Sequence, residues 1–287
     1  MNAGTSKETT RPVLVKSILA PLTARPVVIH AGFDGTAQTT LQHDCLSRHP
    51  QVLCLAKPRS EEFSIELRRP EISFNAARVR RLMDELTAGD NEAKAWVLSD
   101  DNFSNFPLSM GLNAMRLRSM FPNARIMFTI RNQLSLITSW YAQGANIVRA
   151  PEPFLGRHVG FENLLDHEFG NFEESLLHTL EFDKVISVYE DLFGKDNVSV
   201  FTFENFITDK AAYHDSICAY LGVDPAPTRD AFAGAHRNAR PSGREQSYRA
   251  FRNRFLPGVR LRRLIPGGDA LQRLFGTYIT RGAPAKT

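Results

Sequence analysis

Asp34 to Thr40 follow directly on a short apolar run in the stretch VVIHAGFDGTAQTTLQ, residues 27–42. Small side chains, several hydroxyls and a series of backbone N–H groups where a helix opens present partial positive charge, which suits phosphate or sulfate. The nucleoside-triphosphate version of such a loop needs a glycine, then a lysine, then Ser or Thr. Counted from Gly32, those places hold Ala37, Gln38 and Thr39, so the match to a nucleoside triphosphatase fails. Taken alone, the loop fits a ligand-free turn about as well as an anion cradle. A second set lies in FTIRNQLSLITSWY, residues 128–141, where Arg131 ends a strand and Ser139 stands eight residues on, along the next helix. A planar, permanently charged guanidinium with a nearby hydroxyl suits a phosphate. By themselves the two read better as a surface residue and a helix-face hydroxyl.

Such loops act only if the fold brings them to one edge. Short runs rich in β-branched residues recur at 26–30, 52–56, 95–99, 124–131 and 197–203. Their continuous apolar character predicts strands buried on both faces. Helical spacing occupies 75–89, 107–121, 134–143 and 182–194, the last with Val185, Val188, Tyr189 and Leu192 on one face and Gly194 as its stop. LQHDCL, after the first loop, continues as a helix. This alternation predicts an α/β fold with a mostly parallel central sheet flanked by helices. In such sheets ligands bind beyond the carboxyl ends of the strands, where both loops fall.

Composition narrows the function. The chain has 287 residues, 43% hydrophobic and 23% charged, with a formal charge of +4. That charge is too mild to indicate nucleic acid and fits an enzyme handling small anions. Cys45, Cys54 and Cys218 are scattered without metal-ligand spacing, which predicts buried structural thiols in a reducing compartment and no metal. No run approaches the roughly 18–20 apolar residues of a membrane span. Residues 1–25 lack the apolar core of a signal peptide and read as a flexible lead-in. A soluble, cytoplasmic protein is expected.

Together the two loops resemble those of sulfotransferases that use 3′-phosphoadenosine 5′-phosphosulfate (PAPS), specifically the bacterial, carbohydrate-type branch. That family's donor loop reads approximately H-x-G-x-x-K-T-G-T-T-x-L-Q, and His30, Gly32, Thr36, Thr39, Leu41 and Gln42 match it. Arg131, Asn132 and Ser139 are similar to its 3′-phosphate site. WVLSDDNF resembles the family's strand ending in Ser-x-Glu, YEDLFGKDNVSVFTFENFITD its late strand, and HRNARPSG the loop that folds over the donor. The likeness spans roughly residues 26–245 in order. It implies a P-loop-NTPase-like sulfotransferase fold, with 26–287 as a single domain ending in a basic helical region. It also implies PAPS as co-substrate, adenosine 3′,5′-bisphosphate (PAP) as product, and no metal. The donor would be bound by Gly35, Thr36, Ala37, Gln38, Thr39, Thr40, Arg131, Ser139, Arg240 and Ser242.

Three positions depart from the pattern: the family's lysine falls on Gly35, its glycine on Ala37 and a threonine on Gln38. Loss of one stabiliser of developing charge costs about 10²–10³ in rate, and the Asp34 carboxylate beside an anion site repels. Three explanations stand: another cation reaches in, Lys57 and Arg59 being nearest in sequence; the loop binds another ligand; or the chain is an inactive, nucleotide- or glycan-binding relative. The resemblance maps the catalytic base onto Asp101, with Asp100 the neighbour if the alignment slips and otherwise read as the cap of the next turn. Asp34 is an outside candidate. His30, at the end of the first strand and within hydrogen-bonding reach of its neighbours there, is the second catalytic candidate; His43 reads as a surface or packing residue.

From Arg237 to Arg263 there are nine arginines and one acidic residue, Glu245. A terminal helix packed through Tyr248, Phe251 and Phe255 accounts for this best. The other uses are contact with an anionic acceptor and peripheral contact with a negatively charged membrane surface. The expected acceptor is a carbohydrate or glycolipid, with no nucleic acid involved. Residues 144–178 break the strand–helix rhythm, as a cover for the acceptor cleft would.

Overall fold

The computed structural model describes residues 25–90, 92–105, 107–141, 160–170 and 176–234. The lead-in apart from Arg25, the basic stretch from His236 with Arg240 and Ser242, and most of 144–178 lie outside these residues. Five strands, β1 (Val27–His30), β2 (Val52–Ala56), β3 (Ala95–Ser99), β4 (Arg125–Ile130) and β5 (Val198–Thr202), form one sheet in the order β2-β3-β1-β4-β5. Every pairing is parallel. Each expected strand lands on an observed one to within a residue at either end.

The helices are α1 (Gln38–Thr40, running on as a π-helical turn through Leu41–Cys45), α2 (Glu61–Leu67), α3 (Ala76–Thr87), α4 (Pro107–Met120), α5 (Gln133–Trp140), α6 (Phe161–Gly170), α7 (Phe182–Phe193), α8 (Phe203–Thr208), α9 (Lys210–Leu221) and α10 (Arg229–Ala233). The four expected helical stretches correspond to α3, α4, α5 and α7. Their ends have local causes. Asn75 and Asn132 cap α3 and α5 by accepting the N–H of Arg78 and Ser135, and Gly194, at φ 87°, ends α7.

Residues alternate between two covered faces, which is why the central strands read as unbroken apolar runs. Val27 and Ile29 of β1, Trp96 and Leu98 of β3, and Ile126 and Phe128 of β4 join one core with Val79 and Met83 of α3, Leu117 of α4 and Tyr189 of α7. Val28, Val97 and Met127 join a second core with Phe206 of α8, Tyr213, Ile217 and Leu221 of α9, and Phe232 of α10. Each such side chain fully buried contributes about 1.5–3 kcal/mol. Burial on both faces does not extend to the edges, however: β2 and β5 have one neighbouring strand each, and Val200 of β5 is 42% exposed.

Candidate active site

All five strands run the same way, so their carboxyl ends share one edge, with β1 central. Beyond β1 the backbone keeps pairing with β4: Ala31 N–H donates to Met127 O at 3.0 Å and Phe33 N–H to Thr129 O at 3.1 Å. Gly32 is required by this approach, since a Cβ there would lie 2.5 Å from Thr129 Oγ1 and 2.7 Å from His30 Nε2. The chain then turns through Gly35 at φ 85° and Ala37 at φ 63° before α1 starts. Ala37 holds a left-handed conformation that costs a residue with a Cβ about 1–2 kcal/mol.

Beneath the turn runs a buried relay of hydrogen bonds. Gln42 Nε2 donates to Ser99 Oγ at 2.8 Å, and Ser99 Oγ lies 2.7 Å from His30 Nδ1. His30 Nε2 lies 3.1 Å from Thr129 Oγ1, itself 2.8 Å from Thr36 Oγ1, whose proton goes to Phe33 O at 2.6 Å. Only one direction satisfies every donor: Ser99 donates to Nδ1, and the Nε2–H of a neutral imidazole donates to Thr129. Burial drives the His30 pKa down to about 3, against the opposing pull of Asp101. His30 and Thr36 therefore brace β1 to β3, β4 and the turn, and neither lines the cavity above. This position argues against the catalytic role expected of His30, and Thr36 braces the first loop from inside.

That cavity, about 470 Å³, falls in the range of small-molecule sites. Gly35, Ala37, Gln38, Thr39 and Thr40 line it on one side, Arg131 and Ser139 on another, and Lys57, Asp100 and Asp101 on a third. The two loops, remote in sequence, thus face one space, while Arg240 and Ser242 lie outside the described residues. Arg131, from the end of β4, donates to Ser135 Oγ at 2.9 Å and Gly35 O at 3.2 Å, with its guanidinium 4.3 Å from the centre of the Phe203 ring. Ser139 is buried on α5. The same helix clamps the first loop, because Trp140 Nε1 donates to Asp34 O at 3.1 Å.

Gly35 is not simply a lysine lost. A Cβ there would stand 2.7 Å from Leu136 Cδ1 and 3.3 Å from Trp140 Nε1, in a backbone conformation that already favours glycine. A lysine enters the cavity from the end of β2 instead. Lys57 Nζ lies 3.2 Å from Asp100 Oδ1 and 3.0 Å from Asp101 Oδ1. Burial pulls the Lys57 pKa down, but the two carboxylates outweigh it and hold the ammonium above its ordinary value. Arg59, the other candidate, donates to Leu86 O at the end of α3 and does not reach the cavity.

The carboxylates divide by environment. Asp100 is fully buried and caps the following turn by accepting the N–H of Asn102 at 2.9 Å. Burial, and then Asp101, push its pKa above the usual carboxylate value, against Lys57. The Asp101 side chain is 27% exposed and faces the cavity. Asp34 and His43 also line it. The sequence does not single out Phe203 and Phe206, which line the side toward β5, because the apolar run 197–203 reads as strand through the residue where α8 starts.

No protein-family model and no curated protein matches this sequence. Among solved structures, the chain is similar to a sulfotransferase from Alicyclobacillus acidocaldarius, at 24% identity over 85% of this chain and 96% of that one, with a TM-score of 0.55. The fold is that of a sulfotransferase. Looser likenesses are a mouse sulfotransferase complexed with PAP (12% identity, 92% of this chain and 86% of that one, TM-score 0.43) and a sulfotransferase from Mycobacterium avium (13%, 93% and 78%, TM-score 0.43). No helix among the described residues is long and apolar enough to cross a membrane.

Proposed function

We propose that this protein transfers a sulfuryl group from PAPS to a hydroxyl of a carbohydrate or glycolipid. The observation that carries the reading is the convergence of the Gly35–Thr40 loop, Arg131 with Ser139, and the Lys57–Asp101 pair on one cavity at the carboxyl edge of the sheet. Arg131 and Ser139 hold the 3′-phosphate, and the amides of the first loop hold the 5′-phosphate. Asp101 receives the proton of the acceptor hydroxyl as its oxygen bonds to sulfur. The sulfur–oxygen bond to the leaving phosphate breaks in line, and Lys57 stabilises the negative charge that collects there. No step requires a metal. Peripheral contact of the basic stretch from His236 with an anionic membrane surface fits a lipid-linked acceptor, and cytoplasmic placement would fit the thiols.

A second reading, a nucleotide- or glycan-binding relative without transfer activity, is favoured by one observation: Asp100 and Asp101 both engage Lys57, the cation the leaving group needs. Calorimetric titration with PAP tests the donor site. Micromolar binding, lost in Arg131→Ala, is expected; no binding by the unaltered protein refutes transfer from PAPS and the nucleotide-binding form of the second reading. PAP binding without sulfuryl transfer to any member of a glycan and glycolipid panel would select the second.

A further inference from the structure

Cys45, His214 and Cys218 are far apart in the chain, yet their ligand atoms all lie within 4.8 Å of one another. Cys45 closes the π-helical turn that continues α1, while His214 and Cys218 stand one turn apart on α9. All three are buried, at 1%, 0% and 0% exposure. The Cys218 sulfur is 3.6 Å from His214 Nε2. Two atoms bound tetrahedrally to one zinc at about 2.3 Å (sulfur) and about 2.0 Å (nitrogen) stand about 3.5 Å apart. The nearby His49 is already committed, with Nδ1 accepting the Gln51 N–H and Nε2 donating to Asp224 O.

We propose that Cys45, His214 and Cys218 form a binding site for a zinc(II) ion, held by two thiolates and one imidazole. The chemistry fits the surroundings. Two thiolates cancel the ion's charge, so the loaded site is neutral amid the aromatic side chains of the second core, where an unbalanced charge would be costly. An outer partner is also in place: His214 Nδ1 lies 3.5 Å from Asp215 Oδ1, and Asp215 is ion-paired with Arg229 of α10. Ligating histidines commonly donate their second ring N–H to a carboxylate in this way. On loading, Nε2 exchanges the Thr228 hydroxyl, now 2.8 Å away, for the ion, and the two thiols release their protons. The ion would pin the turn immediately after the Gly35–Thr40 loop to α9, so its role is structural and independent of whether the cavity binds PAP.

The test uses the full chain, produced with zinc in the medium and purified without chelator. Elemental analysis should find equimolar zinc, kept by Cys54→Ser and lost by Cys45→Ser and Cys218→Ser. Asp215→Asn should weaken zinc binding about 10–100-fold. Should the cysteine variants fail to fold, the unaltered chain decides alone: stripped and loaded with cobalt(II), it should show thiolate-to-cobalt charge-transfer absorption. Protein with free thiols that holds no zinc and gives no such band overturns the proposal. So does isolated protein in which Cys45 and Cys218 are joined as a disulfide.

Discussion

Replacing Gly35 with lysine restores the residue that the sulfotransferase resemblance demands, and the structure says that it will harm the protein. Two costs arise. At φ 85° a side chain pays the left-handed backbone cost, about 1–2 kcal/mol. The new Cβ also stands 2.7 Å from Leu136 Cδ1, and Leu136 is fully buried in the core beside β4. Overpacking at such a site adds about 1–3 kcal/mol. The sum is about 2–5 kcal/mol, and at about 2–4 °C per kcal/mol in chains approaching this size the loss is easily seen by calorimetry or a urea titration. Since Arg131 donates to Gly35 O, displacement of this turn also moves Arg131, the proposed phosphate ligand, so PAP affinity should fall with stability. A Gly35→Lys protein as stable as its parent and binding PAP more tightly would refute this account of the loop. It would also make the loop a decayed copy of the family's.

Lys57→Met should leave the sheet intact and lower PAPS-dependent sulfuryl transfer about 10²–10³-fold, the usual cost of one charge-stabilising group. Unchanged turnover, followed by PAP release, would show that Lys57 is not the stand-in cation. The buried His30 gives stability a pH dependence of definite sign. Between its unfolded pKa of 6.5 and its folded value of about 3 the unfolded chain carries a proton that the folded chain excludes, so stability falls as pH falls through that window. The full shift amounts to about 5 kcal/mol. His30→Gln should flatten that part of the urea-midpoint profile between pH 6 and 4, and an unchanged slope would mean that the imidazole is not buried neutral.

The residues themselves announce the α/β alternation, the five strands and the two loops, because burial on both faces needs unbroken apolar runs and helix ends need caps and glycines, all local properties. The helices α8, α9 and α10 were less audible, although Asp209 as a cap, Tyr213, Ile217 and Leu221 at helical spacing, and Gly222 in a left-handed turn do mark α9. What the chain order conceals is which side chains meet. Lys57 rather than Arg59 enters the cavity because the two leave β2 in different directions, one toward the Asp100–Asp101 pair and the other toward the end of α3. His30 looked available for catalysis until Ser99 and Thr129, from the strands on either side, closed over both ring nitrogens. Gly35 reads as a missing lysine until α5 is packed beneath it. Cys45 meets His214 and Cys218 only because α9 folds back over the helix that follows β1. Such meetings depend on crossovers between distant segments, and the identity and spacing of neighbouring residues carry no record of them.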